Sequence, residues 1–166
     1  MAINVTPGSP TAVAYATQAE ADAYFTARGI AAWTGSAADK EAALIRGASY
    51  LDRRYYGQWV GVRTDDSQSM AWPRSWVVDA DGYSYDADEI PTRLKEANYE
   101  AALLTLTGTV LEPNLARGGA IKRERAKAGP AESETEYTSG ASAYETFSAI
   151  EWSLQGLLRG HELLRV

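Results

Sequence analysis

The heptapeptide Gln68-Ser69-Met70-Ala71-Trp72-Pro73-Arg74 interrupts the chain between two segments of strong helical periodicity. How it is taken determines the architecture on either side. Pro73 fixes its own φ and biases Trp72 towards extended backbone. Trp72 carries a large apolar face and a single N–H donor. Arg74 carries a planar fork of donors that suits carboxylates or backbone carbonyls. These residue types predict a structural strap of Trp72, Pro73 and Arg74. Trp72 inserts between helices, and Arg74 ties down a loop or a helix end. A catalytic reading finds no nucleophile, histidine or carboxylate dyad in the stretch.

Upstream, Thr17-Gln18-Ala19-Glu20 has the form of a capping box. It predicts a first helix to about Arg28, stopped at Gly29, with Ala19, Ala23 and Phe25 or Ala27 on its apolar face. Ser36 with Asp39 starts a second helix, from about Ala37 to Tyr55. There Leu44, Ala48, Leu51 and Tyr55 share one face. Gly47 inside it costs about 1 kcal/mol against alanine, which close packing on another helix would explain. Downstream, Pro91 suits a first helical position, and Leu94, Ala97, Ala101 and Leu104 form a stripe ended by Gly108. A fourth helix is expected from about Tyr144 to Arg159, with Phe147, Ile150, Leu154, Leu157 and Leu158 as its stripe and Gly160 as its stop.

The segment from Gly57 to Glu89 is rich in glycine and aromatic residues. Asp79-Ala80-Asp81-Gly82, between Trp76-Val77-Val78 and Tyr83-Ser84-Tyr85, predicts a β-hairpin. A calcium loop is not expected. Counting from Asp79, glycine falls at position four instead of six, and Ile90 stands where the bidentate glutamate belongs. The acidic turn reads as a solvated one.

Residues 121–137 predict a second pair of strands. In extended chain Arg123, Arg125 and Lys127 share a face, as do Glu132, Glu134 and Glu136. Folded at Gly129-Pro130, the runs form a ribbon of complementary charge. It buries too little apolar surface to be stable alone, so it should project or be completed by another chain.

The fold class is mainly α: a bundle of about four helices, a short hairpin in the middle and a protruding two-stranded ribbon. A single domain over residues 1–166 is expected, with an arm at 1–14, a body at 15–110 and 144–160, the ribbon at 118–140 and a tail at 161–166. The arm reads as a disordered end, or as one that orders against a neighbouring chain.

The 166 residues can bury a real core, and 5 Trp with 10 Tyr argue against disorder. The net charge of −6 disfavours adhesion to bare nucleic acid but allows a local basic patch. With no cysteine, disulfides and thiolate metal sites are excluded. No apolar run approaches a membrane span, and Met1 to Ala14 lacks the pattern of a signal peptide. His161 is the lone histidine, and no nucleophile-elbow, phosphate-loop or zinc-protease motif is present. No enzyme, metal or cofactor is expected.

Several stretches now count together: Tyr15 to Phe25, Arg28-Gly29, Trp33, Ala42-Ala43-Leu44, Tyr50-Leu51-Asp52, Trp59, Gly61, Arg63, Gln68, Trp72-Pro73-Arg74, Ile90-Pro91, and Lys122-Arg123-Glu124 to Gly129. In these the chain resembles a tailed-phage and prophage family labelled DnaT-like single-stranded-DNA-binding proteins. It also resembles head–tail connector (adaptor, or head-completion) proteins of phage necks. The resemblance covers about residues 15–158, with Trp-Pro-Arg its most specific motif.

The two likenesses imply rival functions. A connector would be a non-enzymatic ring in the virion neck, twelvefold by family analogy, made in the bacterial cytoplasm. It would join the portal protein to a tail-side neck protein and let DNA pass without specific binding. A DnaT-like module would bind single-stranded DNA in replication. The acidic balance and the internally matched basic run lean towards the connector, with weak or no binding to short single strands. Ile121, Lys122, Arg123, Arg125, Lys127 and Tyr137 of the ribbon, with Leu163 and Leu164 of the tail, are then the expected assembly interface.

Overall fold

The computed structural model describes residues 3–79, 81–112, 121–127, 132–137 and 145–159. The chain divides into two compact units, residues 1–110 with 147–166, and residues 111–146.

The first unit is built on two long helices. Helix α1 spans Gln18–Ala27 and α2 Ala37–Arg54; in both the expected capping box is complete. Helix α3 spans Thr92–Leu106, with Pro91 just outside it as the N-cap residue. Leu44, Ala48 and Leu51 of α2, and Tyr55 at its C-cap, are all buried. Gly47 marks where α2 meets α3 closely: a Cβ there would lie 2.9 Å from the Ala102 nitrogen and 3.1 Å from Asn98 Nδ2. Close packing is thus the reason for the glycine. Asn98 is wholly buried and joins three elements. Its amide donates to the Leu44 carbonyl (3.0 Å), and its Oδ1 accepts from the Tyr15 N–H (3.2 Å).

Two helical faces differ from expectation. On α1 the buried residues are Ala21 and Phe25, whereas Ala19, Ala23 and Ala27 face solvent. The ring of Phe25 packs on Trp33, and that contact, not the alanine spacing, orients the helix. On α3 Leu94, Ala97 and Ala101 are buried but Leu104 is only half-buried.

Residues 3–16 are not a loose arm. The Val13 N–H donates to the Asn4 carbonyl (2.9 Å), and the Asn4 amide to the Ser9 and Thr11 hydroxyls. Ser69 then clasps the turn, its hydroxyl donating to the Ser9 and Ala12 carbonyls. Ala12, Ala14, Tyr15 and Ala16 are buried. These polar side chains satisfy the backbone groups that a free end would leave to water.

The fourth helix is shorter than expected. Helix α4 spans Ser148–Ser153 only. Gly156 then takes φ +84, and the chain leaves the helical path to pair with residues 58–60. The Val60 N–H donates to the Leu157 carbonyl (3.1 Å), and the Arg159 N–H to the Gln58 carbonyl (2.7 Å). Backbone pairing with a distant segment replaces the last turns. Ile150, Leu154 and Leu157 still reach the core.

The middle segment holds a short antiparallel pair, β1 (Val62–Arg63) and β2 (Arg74–Ser75), in the register Val62↔Ser75 and Arg63↔Arg74. The expected hairpin is present as a single bridge, Val78↔Ser84. Asp79 Oδ1 accepts from the Asp81 and Tyr83 N–H groups and shapes its turn.

The second unit contains strands β3 (Ile121–Lys127) and β4 (Glu132–Tyr137), paired antiparallel. Arg123 stands opposite Glu136, Arg125 opposite Glu134 and Lys127 opposite Glu132. A register irregularity between Ile121 and Arg123 leaves Lys122 outside the ladder.

Candidate nucleic-acid interface

The strap begins with Gln68, whose buried side chain organises its own loop. Its amide donates to the Met70 and Pro73 carbonyls (2.8 and 3.1 Å), and its Oε1 accepts from the Asp65 N–H (3.0 Å). Trp72 follows, 1% exposed, joined to Pro73 by a cis peptide bond. Its ring meets Trp59 edge to face, centroids 6.1 Å apart. Both indole N–H groups are buried and have no hydrogen-bond partner.

Arg74 spends its fork on three carbonyls: Nε on Val60 (2.6 Å), Nη1 on Ala71 (3.1 Å) and Nη2 on Gly61 (2.9 Å). Gly61 sits at φ +64, and a Cβ there would come within 2.3 Å of the Ser75 carbonyl oxygen. Only glycine lets the two strands approach so closely. Arg63, directly opposite Arg74, donates to the Asp66 and Gln68 carbonyls, each at 3.2 Å. Opposed like charges normally repel across a ladder. Here the carbonyls hold both guanidinium groups in place without neutralising them.

A third arginine arrives from the other end of the chain. The backbone pairing of residues 157–159 with 58–60 carries Arg159 to the same place. A cleft of about 780 Å³ opens there, lined by Arg53, Arg63, Arg74, Arg159, Tyr56 and Trp59, among others. Burial first, then the charge of Arg159, holds the pKa of Arg74 below its usual range. Tyr56 is 86% exposed at the rim.

Asp52 is the one carboxylate in the lining among the described residues. The Tyr15 hydroxyl donates to Oδ1 and the Ala71 N–H to Oδ2 (3.0 Å). Burial pushes Asp52 up to about 6, against the pull of those hydrogen bonds and of Arg74. Burial and the neighbouring Asp52 push the Tyr15 hydroxyl well above its usual range, so it remains a donor.

Of the three strap residues, Arg74 lines this cleft, while Trp72 and Pro73 are buried. For Ile121, Arg123, Arg125, Lys127 and Tyr137 the structure gives backbone register alone, and Lys122 falls at the irregularity in that register. Leu163 and Leu164 lie outside the described residues. Reading the sequence missed the cleft, because Arg159 lies far along the chain from Arg63 and Arg74. The one local signal is Arg53-Arg54 at the end of α2, where basic residues also suit the helix dipole. Among the described residues no group of His, Cys, Asp and Glu is placed to hold a metal ion. No described helix is long and apolar enough to cross a membrane.

Residues 1–165 match the model of a family described as "Putative DnaT-like ssDNA binding protein", and the chain belongs to that family. No curated protein and no solved structure matches it.

Proposed function

We propose that this chain binds single-stranded DNA, with the sugar–phosphate backbone seated in the arginine cleft and a base stacked on Tyr56. One observation carries the reading: Arg63, Arg74 and Arg159 converge with Asp52 as the sole carboxylate in the lining among the described residues. Proteins that bind single strands without sequence preference combine a basic groove with aromatic platforms. The family description supports the same reading. The net charge of −6 weakens long-range attraction, so binding should be local and sensitive to salt. No catalytic step is involved.

Fluorescence anisotropy with a labelled oligonucleotide, repeated over a range of salt, tests this. Saturable binding that weakens as salt rises is expected. Absence of binding even at low salt defeats the proposal.

A second reading rests on a different observation. The β3–β4 register sets three basic residues opposite three glutamates. A ribbon so matched has little charge to spare for phosphates and suits contact between copies. On this reading the chain is a structural adaptor in a phage virion neck, a ring between the portal and a tail-side protein. The mass of the purified protein, alone and mixed with a portal, separates the two. A large ring that captures portal favours the adaptor; a small species that captures oligonucleotide favours the first reading.

A further inference from the structure

Trp76 is held at φ +60, a conformation that bulky side chains rarely adopt. Such outliers persist only where the surroundings impose them, and they cluster at contact sites. The result is an indole 85% exposed to solvent. Val62 (opposite Ser75 in the β1–β2 pair), Val78 and Tyr83 are exposed as well. Large exposed apolar residues recurring in one short segment, Trp76, Val78 and Tyr83, mark a surface made for contact. The segment is also acidic. Asp79, Asp81, Asp86, Asp88 and Glu89 lie between Arg74 and Arg93, with no lysine or arginine among them. A partner must therefore combine positive charge with apolar or aromatic surface.

The chain carries such a surface itself. Among the described residues the cleft is lined by four arginines and the exposed Tyr56, with Asp52 as the single carboxylate. Guanidinium groups stack on indole and phenol rings and pair with carboxylates. We propose that the acidic, aromatic hairpin around Trp76 and Tyr83 docks in the arginine cleft of a second copy of this chain. Hairpin and cleft are different surfaces of one molecule, so the contact is heterologous and runs head to tail. Such contacts close into a ring or extend as a filament. The proposal needs no nucleic acid, although hairpin and DNA would compete for one cleft.

Sedimentation velocity of the full chain, without DNA, at rising concentration and at low and high salt, tests it. The expected result is association that grows with concentration and weakens with salt. Two charge-reversed variants follow: Asp79→Lys with Asp81→Lys on the hairpin, and Arg53→Glu with Arg159→Glu in the cleft. Each alone should remain monomeric while keeping the wild-type circular dichroism. Their equimolar mixture should associate again, because each then offers the complement of the other. Trp76→Ser should weaken wild-type association at least tenfold. Wild type that stays monomeric throughout, a reversed variant that associates like wild type, or a mixture that stays monomeric overturns the proposal. Oligonucleotide binding is read separately, so either idea can fail alone.

Discussion

Tyr15 donates its hydroxyl to Oδ1 of Asp52, and through Asp52 the N-terminal segment, α2 and the strap meet at one carboxylate. The burial that raises Asp52 to about 6 has a definite consequence for stability. In the unfolded chain an aspartate titrates near ~3.9. Between about 4 and 6 the folded state therefore binds more protons than the unfolded one. Stability from this group is greatest at low pH and falls as pH rises through that window. Glu20 and Asp22 are held below their usual range, despite burial, by Lys95 and Lys40 respectively, and act oppositely, losing their contribution at lower pH. Urea unfolding of wild type and Asp52→Asn across pH isolates the Asp52 share. The variant should gain about 1–3 kcal/mol on wild type between pH 4 and 7. Parallel curves would show that Asp52 is not perturbed.

Trp72→Ala should cost about 3–5 kcal/mol, because the ring is fully buried against Trp59 and leaves a cavity. Trp72→Phe should cost much less than that, since it also removes a buried N–H that has no partner. Denaturant midpoints decide it. Equal losses in the two variants would mean that the indole N–H is satisfied in solution.

Gly47→Ala sets two effects against each other. Alanine gains about 1 kcal/mol of helix propensity. Its Cβ would press on the Ala102 backbone nitrogen at 2.9 Å, which cannot move without shifting α3. Overpacking of this kind costs about 1–3 kcal/mol, so net destabilisation is expected. A rise in thermal midpoint would place the two helices farther apart than described.

Local signals were legible in the sequence. Both capping boxes, the buried face of α2, the tight packing at Gly47 and the ribbon register follow from spacing over a few residues. What escaped depends on partners far along the chain. Nothing near Val13 announces that Ser69 will clasp its neighbours. The face of α1 follows Phe25 onto Trp33, and Ala19, Ala23 and Ala27 are too small to compete. Most of the cleft was invisible for the same reason. Arg159 reaches it only because Gly156 ends the helical path and residues 157–159 pair with 58–60.

The two functional readings make opposite claims about two sets of basic residues. In the cleft, Arg159→Glu removes one positive charge and adds a negative one beside Arg74. If the cleft holds phosphates, oligonucleotide affinity should fall, and the slope of log affinity against log salt should drop by about 1. Tyr56→Ala should cost a further ~1–3 kcal/mol if a base stacks there, with the salt slope unchanged. On the ribbon, Arg123→Glu, Arg125→Glu and Lys127→Glu together place six like charges across three opposed pairs. Facing carboxylates across a ladder are destabilising, so β3 and β4 should separate. Under the DNA reading this triple variant should bind oligonucleotide like wild type. Under the adaptor reading, with copies joined through the ribbon, it should lose ring formation and portal capture. Anisotropy and mass measurement on the same three proteins give the answer. Loss of oligonucleotide binding in the ribbon variant, with the cleft variants unaffected, would move the nucleic-acid contact out of the cleft.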